Sequence, residues 1–155
     1  HNPMMKMKVN DQQKLQPLFD LDGTLIKEDR TSTRLFDFFK AHAILNLTED
    51  DLTPLGVLVR DSGKPFDILT ARGHSNATFI RMTLEALGFN VDRIITVGVD
   101  VETQADMAKV SSKAVAIKKQ RIARFTQRKL VDNDARNLEG LGVLGELVTQ
   151  EQMEF

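Results

Sequence analysis

The chain has 155 residues, 41% hydrophobic and 28% charged, with a formal net charge of −1. That length suits one domain, the composition argues against disorder and against a membrane-embedded chain, and the charge balance gives no global pull toward nucleic acid or anionic lipid. Cysteine is absent, which excludes disulfides, thiolate metal sites and cysteine nucleophiles.

His1-Asn2-Pro3 ahead of Met4 reads as an appended leader, and residues 1–14 as an N-terminal extension. His1–Lys8 lacks the apolar core of a signal peptide, and no apolar run approaches the roughly 20 residues of a membrane span. A soluble, cytoplasmic protein is therefore expected. Leu15–Leu21 is the first predicted strand. Thr31–Ile44 carries Leu35, Phe36, Phe39 and Ile44 at near-helical spacing, with Thr31 or Ser32 as N-cap. Thr48-Glu49-Asp50-Asp51 predicts a second helix start, with acids placed for the N-terminal dipole, and that helix runs to Gly63.

Pro65–Thr70 is the second predicted strand. Ser75–Leu87 is a helix closed by Gly88. Arg93–Val97 is the third strand, Ser112 opens a helix with Val115, Ile117, Ile122 and Phe125 as its stripe, and Lys129–Asp132 is the fourth strand. Gly142–Val148 is an edge strand. Strands alternating with helices predict one α/β domain over residues 15–150, with a mostly parallel sheet covered by helices on both faces and a tail at 151–155.

Ligands of open parallel sheets bind beyond the carboxyl ends of the strands. Those ends here carry Asp20 and Asp22, then Thr70, then Asp132-Asn133-Asp134, with Lys113 at the start of the preceding helix. Asp20 and Asp22 stand two apart, so a strand aims both acids the same way. Two anions so close need a cation between them or a retained proton. A strand-end turn is the plainer reading of Asp-Gly. A calcium loop fits poorly, because its glycine belongs at the sixth position and Gly23 stands fourth.

Asp20-Leu21-Asp22-Gly23-Thr24, then Ile68-Leu69-Thr70-Ala71-Arg72-Gly73, then a lysine and a final acidic run resemble the haloacid dehalogenase superfamily. The resemblance covers Leu15–Val148. It implies a three-layer Rossmann-like domain and Mg²⁺-dependent phosphatase activity. By it, Asp20 is the nucleophile that becomes an aspartyl-phosphate, and Asp22 protonates the leaving alkoxide and then activates water. Thr70 and the amides of Ala71 and Arg72 hold phosphoryl oxygens, and Lys113 neutralises charge, with Lys118 as its competitor. Asp132 holds Mg²⁺ together with Asp20 and the carbonyl of Asp22.

Asn133 departs from the adjacent acids common in capless members, which implies weaker metal binding. Asp134 either compensates or caps the following turn. Arg72 suits phosphate geometry. His74 reads as a loop neighbour of the following helix more than as an acid or ligand.

About forty residues separate the first two motifs, too few for a full cap domain. The layout is similar to the phosphatase part of polynucleotide kinases, whose open site suits a macromolecular phosphate. From Met107 to Val131 there are eight Lys or Arg and no acid, either a solvated helix face or a flank guiding a nucleic-acid end. Two other readings compete. One is an assembly or binding module that kept the fold and lost turnover, motivated by Asn133. The other is a phosphate receiver, which the order of the acidic pair and Thr70 disfavours.

Overall fold

The computed structural model describes residues 16–28, 47–97, 115, 118, 119 and 128–154. Five strands form one sheet: β1 (Gln16–Phe19), β2 (Phe66–Thr70), β3 (Val91–Thr96), β4 (Arg128–Asp132) and β5 (Gly145–Leu147). Their order is β3-β2-β1-β4-β5, and every neighbouring pair is parallel. The helices are α1 (Pro54–Ser62), α2 (Ala77–Ala86) and α3 (Ala135–Leu138), and residues 115, 118 and 119 are helical between β3 and β4. None of the described helices is long and apolar enough to cross a membrane.

A parallel sheet needs apolar residues on both of its sides. All five residues of β2 are buried. Successive residues divide between two cores. Phe19, Ile68 and Val131 join α1 and α2 through Leu55, Val59, Ile80 and Leu84, whereas Leu18, Leu69 and Leu130 pack together with Val97. Val148 follows β5 into the first core. The edge strand β3 is more exposed, at Asp92 and Arg93.

The segment expected as one helix from Thr48 to Gly63 is broken. A 3₁₀ turn at Glu49–Asp51 is capped by Thr48 and Asp51, and α1 begins only at Pro54. Proline disfavours the helical conformation in the residue before it. Thr53 is accordingly extended, with φ −71° and ψ 161°. Its hydroxyl accepts from Gly56 N–H at 2.9 Å and donates to the Thr24 carbonyl at 2.6 Å. A side chain at Gly56 would collide with the Leu25 carbonyl. These contacts seat α1 directly on the loop that leaves β1.

The predicted start of α2 shifts likewise, because a 3₁₀ turn at His74–Asn76 precedes Ala77. The edge strand narrows to Gly145–Leu147 behind another such turn at Gly142–Leu144. The helix expected over Thr31–Ile44, most of that from Ser112, and the leader lie outside the described residues.

Asp67 clamps the opposite, amino-terminal end of the sheet. Its carboxylate accepts from Arg93 N–H at 2.9 Å, from Arg93 Nη2 at 3.2 Å and from Arg128 Nη2 at 3.0 Å, reaching from β2 across β1 to β4. Burial alone would raise its pKa, but these donors outweigh burial and hold it below the ordinary 3.8. The stability it supplies is therefore complete above pH 4 and lost as pH falls through the lowered folded value. Asp67→Asn is expected to cost about 2 kcal/mol at pH 7 and progressively less as pH falls below the ordinary carboxylate range, read by urea unfolding across that range.

Candidate active site

The strand order reverses direction between β1 and β4, so the crevice beyond their carboxyl ends is where ligands are expected. The side chains of Asp20 and Asp132 flank that crevice. Asp20 continues the ladder of β1, its N–H bonded to the Val131 carbonyl at 2.9 Å. The chain then folds tightly over Leu21, whose carbonyl accepts from Thr24, Leu25 and Ile26. Gly23 takes φ +79°, and any side chain there would strike Asn133, so both conformation and space require glycine.

The charged groups form a connected cluster. Lys118 Nζ donates to Asp20 Oδ1 at 2.7 Å and to Asp132 Oδ2 at 2.8 Å. Asp132 also accepts from Asn137 Nδ2 at 2.9 Å and from Asp134 N–H at 2.9 Å. Lys118 and Asp132 are both fully buried, as is most of Asp20. Asp22 pairs bidentately with Arg72, Oδ2 with Nε and Oδ1 with Nη2, both at 2.9 Å. Three carboxylates thus face two cations, an excess of negative charge in a region nearly closed to water.

Burial pushes the Asp20 carboxyl up to about 7, Lys118 opposes that rise, and Asp132 and Asp22 add to it. For Lys118, burial favours the neutral amine, but Asp20 and Asp132 outweigh it and hold the pKa above its ordinary value. Lys118 is the fixed cation of the site.

Asn133 and Thr24 tie the crevice together. The Thr24 hydroxyl donates to Asp20 Oδ2 at 3.2 Å and accepts from Asn133 N–H at 3.1 Å. With its amide nitrogen turned inward, Asn133 donates to the Asp22 carbonyl at 3.1 Å and to Asp20 Oδ2 at 3.2 Å. With the amide oxygen turned inward, three oxygens occupy the same place, and that oxygen accepts from Thr24 at 3.4 Å.

Those oxygens suit a small hard cation. Ligand distances of about 2.1 Å at right angles put neighbouring Mg²⁺ ligands about 3.0 Å apart, close to the 3.1 and 3.2 Å separations here. With its amide oxygen turned inward, Asn133 would hold such an ion together with Asp20 Oδ2 and the Asp22 carbonyl. Among the described residues, no group of three or more His, Asp or Glu is placed to hold a metal by side chains alone.

Several expected placements change. Lys118, not the lysine favoured from its position at a helix start, is found between Asp20 and Asp132; Lys113 lies outside the described residues. Asn133 reaches the Asp22 carbonyl, while the two oxygens of Asp132 accept from Lys118, Asn137 and the Asp134 amide. Asp134 caps α3, accepting from Arg136 N–H at 3.0 Å.

Thr70 is buried at the end of β2, and its Oγ1 accepts from Arg72 N–H at 3.2 Å. Ala71 is half-buried beside it. His74 Nδ1 lies 2.7 Å from Thr96 Oγ1, which links the ends of β2 and β3. Sequence reasoning assigned no role to Asn137 or to the Thr24 hydroxyl. For Thr24, its place in the first motif was the available signal.

The apolar cavity of about 580 Å³ bordered by Pro17, Phe19, Leu58, Val59, Pro65 and Phe66 lies at the amino-terminal ends of β1 and β2, away from these groups. No protein-family model matches the chain, and neither a curated protein nor a solved structure gives a significant match.

Proposed function

We propose that this protein is a Mg²⁺-dependent phosphomonoesterase of the haloacid dehalogenase type, working through an aspartyl-phosphate on Asp20. The observation that carries this reading is the convergence at one crevice of the buried Asp20 carboxylate, the Asp22 carbonyl and the Asn133 amide, with Lys118 against Asp20. A carboxylate meets a phosphate dianion only where charge is compensated, and phosphoryl transfer is catalysed chiefly by positioning and electrostatics. Bound Mg²⁺ would supply further positive charge at Asp20 Oδ2.

In this reading an Asp20 oxygen forms the new bond to phosphorus as the bond to the ester oxygen breaks. The departing oxygen takes a proton from Asp22. Water then attacks phosphorus, Asp22 takes its proton, and Asp20 is released with inorganic phosphate. Thr70 and the loop of Ala71 border the place of the transferred group. Lys118 keeps Asp20 oriented and lowers the charge it presents.

The substrate class proposed is an open, macromolecular phosphate, with a nucleic-acid end as the leading case. Its support is the short spacing between motifs and the basic run from Met107 to Val131, most of which lies outside the described residues. The test is phosphate release from a generic aryl phosphate and a 3′-phosphorylated oligonucleotide, with Mg²⁺ or with chelator. Release that requires Mg²⁺ supports the reading, and its absence from every ester would sink it.

The second reading is a binding or assembly module with little turnover. It is favoured by Asn133, which offers a metal a neutral amide where an acid would offer charge. Asn133→Asp is expected to tighten Mg²⁺ binding about tenfold in calorimetric titration, because affinity for hard cations follows ligand charge. Unchanged affinity would mean that this side chain is not a ligand.

A further inference from the structure

Arg72 is the largest fully buried side chain in the described fold, only 1% exposed, and it stands two residues past the end of β2. An arginine free to receive a phosphate would show its guanidinium to the crevice. Here the guanidinium is committed elsewhere. Two of its nitrogens face the two oxygens of Asp22 at 2.9 Å each, and Nη1 donates to Asn76 Oδ1 at 3.2 Å. Asn76 is itself buried and bonded through Nδ2 to the Gly73 carbonyl at 3.4 Å. The Arg72 N–H is held by Thr70. The residue is thus fixed at its backbone and along its guanidinium, and what it presents outward is Asp22, whose side chain keeps 19% exposure.

We propose that Arg72 is the positioning residue of Asp22, setting the direction of that carboxylate, and that it does not contact substrate phosphate. This rests on the phosphatase reading above. The planar fork fixes both carboxylate oxygens at once, which a point charge such as lysine does not. Asp22 lies three residues beyond β1, in the tight turn before Gly23, so its side chain needs a restraint that the strand ladder does not give. A rigid partner on the neighbouring strand end supplies it, and Asn76 braces that partner from the following turn.

The test compares Arg72→Lys and Arg72→Gln, alone and with Asp22→Asn, on an alkyl and an aryl phosphate ester in Mg²⁺. Alkoxides need the proton that Asp22 delivers, whereas a nitrophenolate departs without one. Arg72→Lys is expected to lower kcat on the alkyl ester about a hundredfold with KM within about twofold, and to affect the aryl ester far less. Adding it to Asp22→Asn is expected to change little more. A rise in KM on both esters at unchanged kcat would overturn the proposal in favour of direct phosphate contact, as would full additivity with Asp22→Asn.

Urea unfolding of the parent, Arg72→Gln, Asp22→Asn and the double variant reads the pair without turnover. Non-additivity of about tenfold in the unfolding constant is expected for Arg72→Gln with Asp22→Asn, and additivity would overturn the pairing. If the unmodified protein hydrolyses neither ester, the phosphatase reading fails and takes the role of Arg72 with it. An intact urea coupling would then locate the failure in that reading rather than in the pair.

Discussion

Asp20→Asn is expected to lower phosphate release by at least about 10⁴-fold, since in the proposed mechanism it removes the group that bonds to phosphorus and leaves its shape in place. The fold should survive the change. Asn keeps an oxygen for Lys118, which contacts Asp20 Oδ1 at 2.7 Å, and puts an amide nitrogen where Thr24 now donates to Oδ2 at 3.2 Å, so that one weaker contact reverses its direction. A stability effect of definite sign accompanies the loss. The folded pKa of Asp20, about 7, lies above the ordinary 3.8. The folded protein therefore binds that proton more tightly than the unfolded chain does. Its stabilising contribution is complete below pH 4 and is lost as pH rises toward 7. In chelator, Asp20→Asn should flatten this part of the pH dependence, so the variant gains stability relative to the parent at pH 8 over pH 4. Urea midpoints at the two values measure it. Retained phosphate release in the variant would remove Asp20 from the chemistry altogether.

Lys118→Met is expected to be the most destabilising single change at the site, by about 3–5 kcal/mol, or a fall in melting temperature of roughly 10 °C. Methionine fills similar volume, so packing is not the main loss. What remains is Asp132, wholly buried, with its Oδ2 left to Asn137 alone, and Asp20 beside it without its 2.7 Å partner. Breaking a buried pair from one side leaves a charge that neither water nor protein compensates. Mg²⁺ should restore part of the loss, because a cation at Asp20 Oδ2 relieves the same repulsion. Lys113→Met serves as the comparison. If it, and not Lys118→Met, abolishes turnover and lowers the melting temperature, then the lysine of the site is the one favoured by position along the chain.

The second reading and the first differ in what these variants share. In an enzyme, Asp20→Asn stops turnover at unchanged or raised stability, whereas in a binding module the same change alters only metal affinity and stability. The pair Asp22–Arg72 does not separate them by itself, since a structural ion pair and a positioned acid look alike at rest.

Much of the architecture was legible from pattern. Four strands stood out as short apolar runs ended by polar residues or glycine, and four of the five strand predictions agree with the structure within about two residues at each end. Thr48–Gly63 was misread as one helix, because the acids of Glu49–Asp51 look like a first turn while Pro54 sets the actual start. The edge strand shrank for a related reason: Gly142, with φ +55°, turns the chain before the ladder can form.

The sequence by itself determined which chemical groups stand at the ends of the strands. Asp20 and Asp22 follow β1, and Thr70 and Asp132 end their strands, because the apolar runs stop there. Which of these groups touch was decided only in three dimensions. Asn133 meets the Asp22 carbonyl across 111 positions of chain because β1 and β4 are neighbours in the sheet. Arg72 meets Asp22 because β1 and β2 are neighbours as well. Lys118 reaches Asp20 and Asp132 together because both strands end at one crevice. Such contacts depend on strand order and helix phase, which no local spacing encodes, and an ionic partner is chosen by whichever opposite charge the folded chain leaves nearest in a place without water.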